Sequence, residues 1–247
     1  MTQEWIAGKN PVLEALRARH PLNKIWIAQE TKSAWIKDLI RLAKEQGIVI
    51  QHVPKKKIDQ VTGEMAHQGV LAFVAAYQYA DLDTLFRRAE ERGEPPFLLI
   101  LDGIEDPHNL GSILRTADAV GIHGVIIPKR RAAGLTATVA KTSAGAIHYV
   151  PVARVTNLAQ TVEALKARQM WVCGTDADAK QDFRQADFTI PTAVVIGNEG
   201  KGISRLLREK CDYHVKIPLA GQVSSLNASV AASLLMYEVY RQRHPVS

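Results

Sequence analysis

Apolar and polar positions alternate along this chain with two periods, and the switches between them mark its elements. Over residues 11–18 the spacing is helical, with Asn10 placed as N-cap and Pro11 at the first helical position. Residues 24–27 read as a short strand. Between residues 33 and 46, Ile36, Leu39, Ile40 and Ala43 keep the i, i+3, i+4, i+7 spacing of an amphipathic helix, and Gly47 stops it. Strands at 49–50 and 70–75 complete a small α/β module. The expected division is one domain over residues 1–76, a linker over 77–80 and a larger domain over 81–247.

From residue 81 the pattern changes. A helix over 81–91 and the turn Gly93-Glu94-Pro95-Pro96 lead into near-continuous apolar runs at 97–101, 124–127, 171–173, 193–196 and 214–217, with helices between. Strands apolar on both faces and alternating with helices predict a mostly parallel sheet covered on both sides. Ligands of such sheets gather at the carboxyl ends of the strands, so the loops after these runs are where chemistry belongs.

Composition narrows the class. The 247 residues are 47% hydrophobic and 23% charged, which permits a core without metal or disulfide staples. No apolar run approaches the roughly 20 residues of a membrane span, and the first residues lack a basic stretch followed by an apolar one. A cytoplasmic protein without membrane contact is expected. Cys173 and Cys211 then read as reduced thiols, and neither they nor the scattered histidines have metal-ligand spacing. The net charge is +6. Residues 1–80 carry 11 Lys and Arg against 7 Asp and Glu, while residues 81–247 carry 20 against 18. The basic excess is concentrated in the smaller part, where it suits a polyanionic partner or a merely solvated surface.

Three loops carry candidate chemistry. After residue 102 comes Gly103-Ile104-Glu105-Asp106-Pro107-His108-Asn109-Leu110-Gly111-Ser112-Ile113-Leu114-Arg115, in which Gly111 is expected to open a helix with Arg115 about one turn in. Arginine there suits a phosphate, although a capping asparagine and a surface arginine would give the same pattern. After residue 196 comes Gly197-Asn198-Glu199-Gly200-Lys201-Gly202-Ile203-Ser204, whose glycines would let backbone approach a ligand. It is neither G-x-G-x-x-G nor a Walker A loop, and neither occurs elsewhere. After residue 217 comes Pro218-Leu219-Ala220-Gly221-Gln222-Val223-Ser224-Ser225-Leu226-Asn227-Ala228, richer in small polar residues than one helix cap requires.

Taken in order, N-L-G-S-I-L-R-T-A, I-G-N-E-G-K-G-I-S and I-P-L-A-G-Q-V-S-S-L-N-A-S-V-A resemble the three motifs of the SpoU (TrmH) family of RNA ribose methyltransferases, over residues from about 97 to 243. Gly8-Lys9-Asn10-Pro11-Val12-Leu13 resembles the start of the ribosomal-protein-like RNA-binding domain in one branch of that family. Residues 102–111 and 221–227 look closest to the bacterial 23S rRNA guanosine-2'-O-methyltransferases. The resemblance implies a SPOUT domain, an α/β parallel sheet whose C-terminal segment is threaded as a trefoil knot, preceded by a small α/β RNA-binding domain.

By the same resemblance the cofactor is S-adenosylmethionine, held near Thr175, Gly197, Ile217 and Leu226, with no metal. Arg115 matches the catalytic arginine, and Asn109, Glu199 and Asn227 match the remaining polar positions. Arg115, Ser225, Lys9 and Asn10 are the expected substrate contacts. The expected substrate is structured RNA, 23S rRNA first and tRNA as the alternative, with no DNA partner. A non-catalytic RNA-binding or ribosome-assembly protein is a third reading. His108 reads as a loop-stabilising residue or a proton shuttle, and Cys173 as core. Lys55-Lys56-Lys57 and Lys129-Arg130-Arg131 are RNA-phosphate contacts or solvated runs. Residues 226–240 are apolar or small on nearly every face. Related enzymes pair through this region, which implies a homodimer with this helix and the first motif helix at its centre, to be broken by a charge at Met236 or Tyr240.

Overall fold

A computed structural model describes residues 5–31, 33–63, 65–75 and 77–246. The chain divides into two compact units, residues 1–78 with 134–137 and residues 79–133 with 138–247. The first runs β1 (Trp5–Ala7), α1 (Lys9–Arg17), β2 (Leu22–Ala28), α2 (Ala34–Glu45), β3 (Val49–Val53), α3 (Lys55–Thr62) and β4 (Val70–Val74). Its sheet order is β1-β4-β2-β3, parallel between β2 and β3 and antiparallel elsewhere. Successive side chains of a strand point to opposite faces. Ile25 and Ile27 accordingly pack with Val12, Leu16, Leu39 and Val70, while Trp26 and Ala28 pack with Val53, Ile58 and Leu71.

Two features depart from the expected pattern. Helix α1 opens at Lys9 with Gly8 as its N-cap at φ 97° and ψ 157°, not with Asn10. That backbone geometry favours glycine, and the Lys9 N–H donates to Gln68 Oε1 at 3.0 Å. Lys55, Lys56 and Lys57 form the first turn of α3. Cations at a helix's positive end are unfavourable there, which hid this helix from a reading based on end charges.

The second unit runs α4 (Leu82–Arg92), β5 (Phe97–Asp102), α5 (Pro107–Ala119), β6 (Gly124–Pro128), α6 (Ala137–Thr142), β7 (Val152–Val155), α7 (Leu158–Ala167), β8 (Trp171–Thr175), β9 (Gln181–Asp182), β10 (Thr192–Gly197), α8 (Arg205–Lys210), β11 (Tyr213–Lys216) and α9 (Ala228–Arg243). The seven strands are all parallel, in the order β7-β6-β5-β10-β8-β11-β9. Leu98, Leu99, Ile100 and Leu101 of β5 are fully buried, at about 1.5–3 kcal/mol of stabilisation for each such side chain. Ala80 already bridges to Ala153, so residues 77–80 are not free linker to their end.

Helix α5 begins at Pro107 rather than at Gly111, with Asp106 Oδ1 accepting from the His108 N–H at 2.8 Å. Arg115 therefore lies more than two turns into it. Gly111 is a packing residue. A Cβ there would stand 1.8 Å from Thr142 Oγ1, so glycine lets α5 close on α6. Helix α9 buries Ala232, Leu235, Met236 and Val239 completely and touches α5 through Thr116 Oγ1 and Ser233 Oγ, 3.0 Å apart. Met236 is thus core and cannot centre a subunit contact. Val230, Leu234, Tyr237 and Tyr240, 40–53% exposed, form the outward stripe instead. No helix among the described residues is long and apolar enough to cross a membrane.

Candidate active site

The parallel sheet places β5 beside β10, with Gly197 opposite Asp102, so the loops after these strands emerge together. They are tied to each other. Asn198 Nδ2 donates to the Gly103 carbonyl at 3.0 Å, and the Ser204 N–H donates to Asp102 Oδ2 at 2.7 Å. The loop after β10 also closes on itself, since Asn198 and Gly202 exchange backbone hydrogen bonds of 3.1 and 2.7 Å. Asn198 Oδ1 accepts from the Gly200 and Lys201 N–H groups. The glycines serve this closure first. A Cβ on Gly197 would lie 2.2 Å from the Gly202 carbonyl carbon, and Gly202 itself sits at φ +64°.

Three of the four expected polar residues meet beyond this loop. Glu199 Oε1 accepts from Asn109 Nδ2 at 3.0 Å, from Asn227 Nδ2 at 2.7 Å and from the Ala228 N–H at 2.9 Å. Asn227 Nδ2 also donates to Asn109 Oδ1 at 2.9 Å. The other end of the Asn227 amide caps α9, its Oδ1 accepting from the Ser229 and Val230 N–H groups. Residues 90 and 118 positions from Asn109 thereby share one hydrogen-bonded cluster.

Beside the cluster lies an open cleft of about 590 Å³. Its walls include Thr175, Gly197, Ile217 and Leu226, the four residues expected at a cofactor, together with Glu199 and Ser225. Thr175 Oγ1 is turned inward and donates to the Val195 carbonyl at 2.9 Å. Sequence reasoning missed the charged wall, which consists of Asp176, Asp178, Lys201 and Arg208. Asp176 is ion-paired with Arg208. Asp176 and Asp178 follow directly on β8, so the strand-end rule that singled out the other loops would have found them.

Other expected residues are not among those lining the cleft. Arg115 is exposed on α5, with no ion pair among the described residues, and does not line the cleft. Lys9 and Asn10 begin α1 in the first unit, with Lys9 Nζ 5.9 Å from the Trp35 ring centre. The Lys129-Arg130-Arg131 run follows β6. Cys173 is fully buried, and burial pushes its thiol, like that of Cys211, up to about 12. Neither is poised as a nucleophile. Among the described residues no group of His, Cys, Asp or Glu could hold a metal ion.

Comparison with known proteins gives a consistent pattern. The model of the SpoU rRNA methylase family matches residues 96–237, and that of the RNA 2'-O ribose methyltransferase substrate-binding domain matches residues 5–80. A TrmH family tRNA/rRNA methyltransferase of Bacillus subtilis is 62% identical over 244 residues, covering 98% of this chain and 97% of the relative. One from Staphylococcus aureus is 54% identical over 246 residues, covering 100% and 99%. Among solved structures, the SpoU methyltransferase AviRb from Streptomyces viridochromogenes, in complex with the cofactor AdoMet, is 31% identical. It aligns over 97% of this chain and 90% of its own with a TM-score of 0.62. The TrmH/SpoU tRNA modifying enzyme of A. aeolicus is 30% identical over 65% of this chain and 83% of its own, with a TM-score of 0.55.

Proposed function

The chain belongs to the SpoU rRNA methylase family, and on that premise we propose that it transfers a methyl group from S-adenosylmethionine to a ribose 2'-hydroxyl in RNA, with a guanosine of 23S rRNA as its target. The observation that carries this reading is the convergence of Asn109, Glu199 and Asn227 from three separate segments of the chain beside one cleft. The guanosine and the 23S rRNA rest on the likeness of residues 102–111 and 221–227 to enzymes of that specificity.

The cleft suits the cofactor. Its volume falls in the usual range for small-molecule sites. Ile196, Ile217 and Leu226 offer apolar surface for an adenine, and Gly197, Gly200 and Gly202 put no side chain into the cleft they line. Lys201 and Asp178 would meet the charged amino-acid end, and Thr175 would steady the loop after β8. When bound, S-adenosylmethionine supplies a methyl group already activated on a sulfonium.

The nucleophile is then the difficulty, because a ribose hydroxyl must lose its proton as it attacks. Arg115 binds the phosphate next to the target ribose through its planar fork. A guanidinium holds its proton too tightly to serve as a base, so that phosphate or a water accepts the proton. Asn109, Glu199 and Asn227 orient the ribose and lock the loops, and positioning supplies much of the barrier reduction. Ser225 on the cleft wall, and Lys9 and Asn10 in the first unit, contact the RNA. The order β5-β10-β8-β11 supports a chain threaded as a trefoil, since β10 is inserted between strands laid down before it. The outward stripe of α9 pairs two copies as a homodimer.

The test is to map 2'-O-methylation in rRNA and tRNA from a strain lacking the gene, and to restore it in vitro with purified protein and labelled S-adenosylmethionine. A single missing methyl on a 23S rRNA guanosine is expected. Loss in tRNA instead would keep the chemistry and overturn the target. Intact methylation of both RNAs would overturn the proposal.

A further inference from the structure

The cluster and the cleft use only the second unit. The first has a distinctive face of its own, on the side of its sheet that carries α3. There β4 pairs with both of its neighbours at Phe73, opposite Trp5 of β1 and Lys24 of β2, so aromatic, aromatic and cation form one row across three strands. Trp26, two residues along β2, meets Phe73 edge-on, with ring centres 4.7 Å apart and planes at 70°. Its Nε1 donates to Gln51 Oε1 at 2.8 Å, which fixes the indole.

Two ammonium groups crowd these rings. Lys24 Nζ lies 4.8 Å from the Phe73 centre and 5.2 Å from that of Trp26, and Lys57 Nζ reaches Trp26 at 4.8 Å from α3. Neither lysine forms an ion pair among the described residues. Lys24 is pushed below the ordinary lysine range, chiefly by burial and further by repulsion from Lys57. Purely structural cation–π packing would be served by one lysine, or by a lysine with a carboxylate beside it. Two cations that repel each other and lack a counter-charge favour an incoming anion. Rings beside cations also fit the repeating pattern of a single strand, in which bases stack and phosphates take the charge.

We propose that this sheet face binds a single-stranded segment of the RNA substrate, its phosphates at Lys24 and Lys57 and its bases stacked on the half-buried Phe73 and Trp5. Trp26 is only 8% exposed, so it acts as the platform beneath the lysines rather than as a stacking surface. The inference rests on the reading that the chain acts on RNA, and it adds the surface and the form of nucleic acid recognised. The face is opposite the one on which α1, the helix that Lys9 and Asn10 begin, packs against β2.

The test measures binding of the full-length protein to a mixed pyrimidine oligonucleotide of about 12 nucleotides, single-stranded and as a duplex, over a salt series. Lys24→Gln combined with Lys57→Gln should weaken single-strand binding about tenfold and lower the salt slope by about 1.4, at about 0.7 per phosphate contact. Phe73→Leu keeps an apolar side chain in the row. It should weaken single-strand binding at least about fivefold while leaving the duplex affinity and the salt slope unchanged. Cofactor titration and a thermal melt on each variant report separately on folding. Variants that bind the single strand with wild-type affinity and slope would overturn the inference alone. So would losses of equal size on the duplex. A wild-type protein that neither binds these RNAs nor methylates RNA would overturn the function proposed above as well.

Discussion

Substituting Gly197 by alanine separates two explanations for the glycines after β10, ligand approach and loop closure. The added methyl would lie 2.2 Å from the Gly202 carbonyl carbon, 2.3 Å from the Ile203 nitrogen and 2.5 Å from the Gly202 oxygen. All three are backbone atoms, so no rotamer change relieves the overlap. The loop must open, giving up the two hydrogen bonds between Asn198 and Gly202. At about 1 kcal/mol for each bond and about 1–3 kcal/mol for overpacking, the perturbation is worth about 3–5 kcal/mol. Opening displaces Glu199 and one wall of the cleft, so affinity for S-adenosylmethionine should fall at least about 100-fold. Two controls grade the effect. Gly202→Ala meets nothing within 4 Å but sits at φ +64°, which costs about 1–2 kcal/mol. Gly221→Ala meets nothing within 4 Å and should bind within about twofold of wild type. Isothermal titration with S-adenosylmethionine, with a thermal melt on each variant, gives the ranking. Gly197→Ala binding within about threefold of wild type would refute the closure argument.

Arg115→Ala should abolish methyl transfer while leaving the melt and cofactor affinity unchanged. Retention of more than roughly a tenth of wild-type kcat, a barrier change under about 1.4 kcal/mol, would contradict its placement at the substrate. His123 is buried, accepts from the Phe97 N–H at 2.9 Å through Nδ1 and faces Glu94 Oε2 at 3.0 Å through Nε2. Burial lowers its pKa, with Glu94 acting in the opposite direction. The unfolded chain therefore binds a proton near pH 6.5 that the folded chain resists, and stability should fall as pH drops below about 6.5. His123→Asn should flatten that dependence between melts at about pH 7.5 and pH 5.5, and an unchanged slope would count against it. Tyr237→Glu on the outward stripe of α9 should give a monomer by light scattering with methylation impaired. A monomeric wild type with full activity would dismiss the dimer.

Much of the second unit was legible because its strands are buried on both faces and so stand out as apolar runs. The segment over residues 97–101 could hardly be anything else in a chain with no membrane-length run. Strand β7 escaped because Arg154 and Val155 are only half buried and break the run. Strand β9 has two residues, Gln181 and Asp182, with no apolar signal at all. The start of α5 was misplaced because Gly111 looked like a helix opening, although Asp106-Pro107 is the stronger capping signal. In the first unit, Gly8 outcompeted Asn10 for the cap because only the glycine could make the turn out of β1. Strands β7 and β9 were decided by packing between segments far apart in sequence, whereas both helix starts were set by local capping geometry.

The three polar residues of the cluster were readable singly, but not their meeting, and the strand order explains why they meet. Glu199 follows β10, which lies beside β5 and so brings the Asn109 loop within reach at once. Asn227 follows β11, two strands from β10 with β8 between them. At about 4.8 Å per strand, the segment from Ile217 to Asn227 must return across roughly 10 Å. Its middle, residues 218–225, is exposed, while its ends are held, Ile217 by the cleft and Asn227 by the cluster. Asn227 is suited to that anchor because an amide has two chemically different ends. Its carbonyl oxygen caps α9 and its NH₂ group supplies Glu199 and Asn109 together. An aspartate could cap the helix but would set a second carboxylate against Glu199, and a serine could cap it without reaching either partner. One side chain thus couples the start of the last helix to the shape of the cleft, and the polar cluster is as much the closure of the fold as the floor of the site.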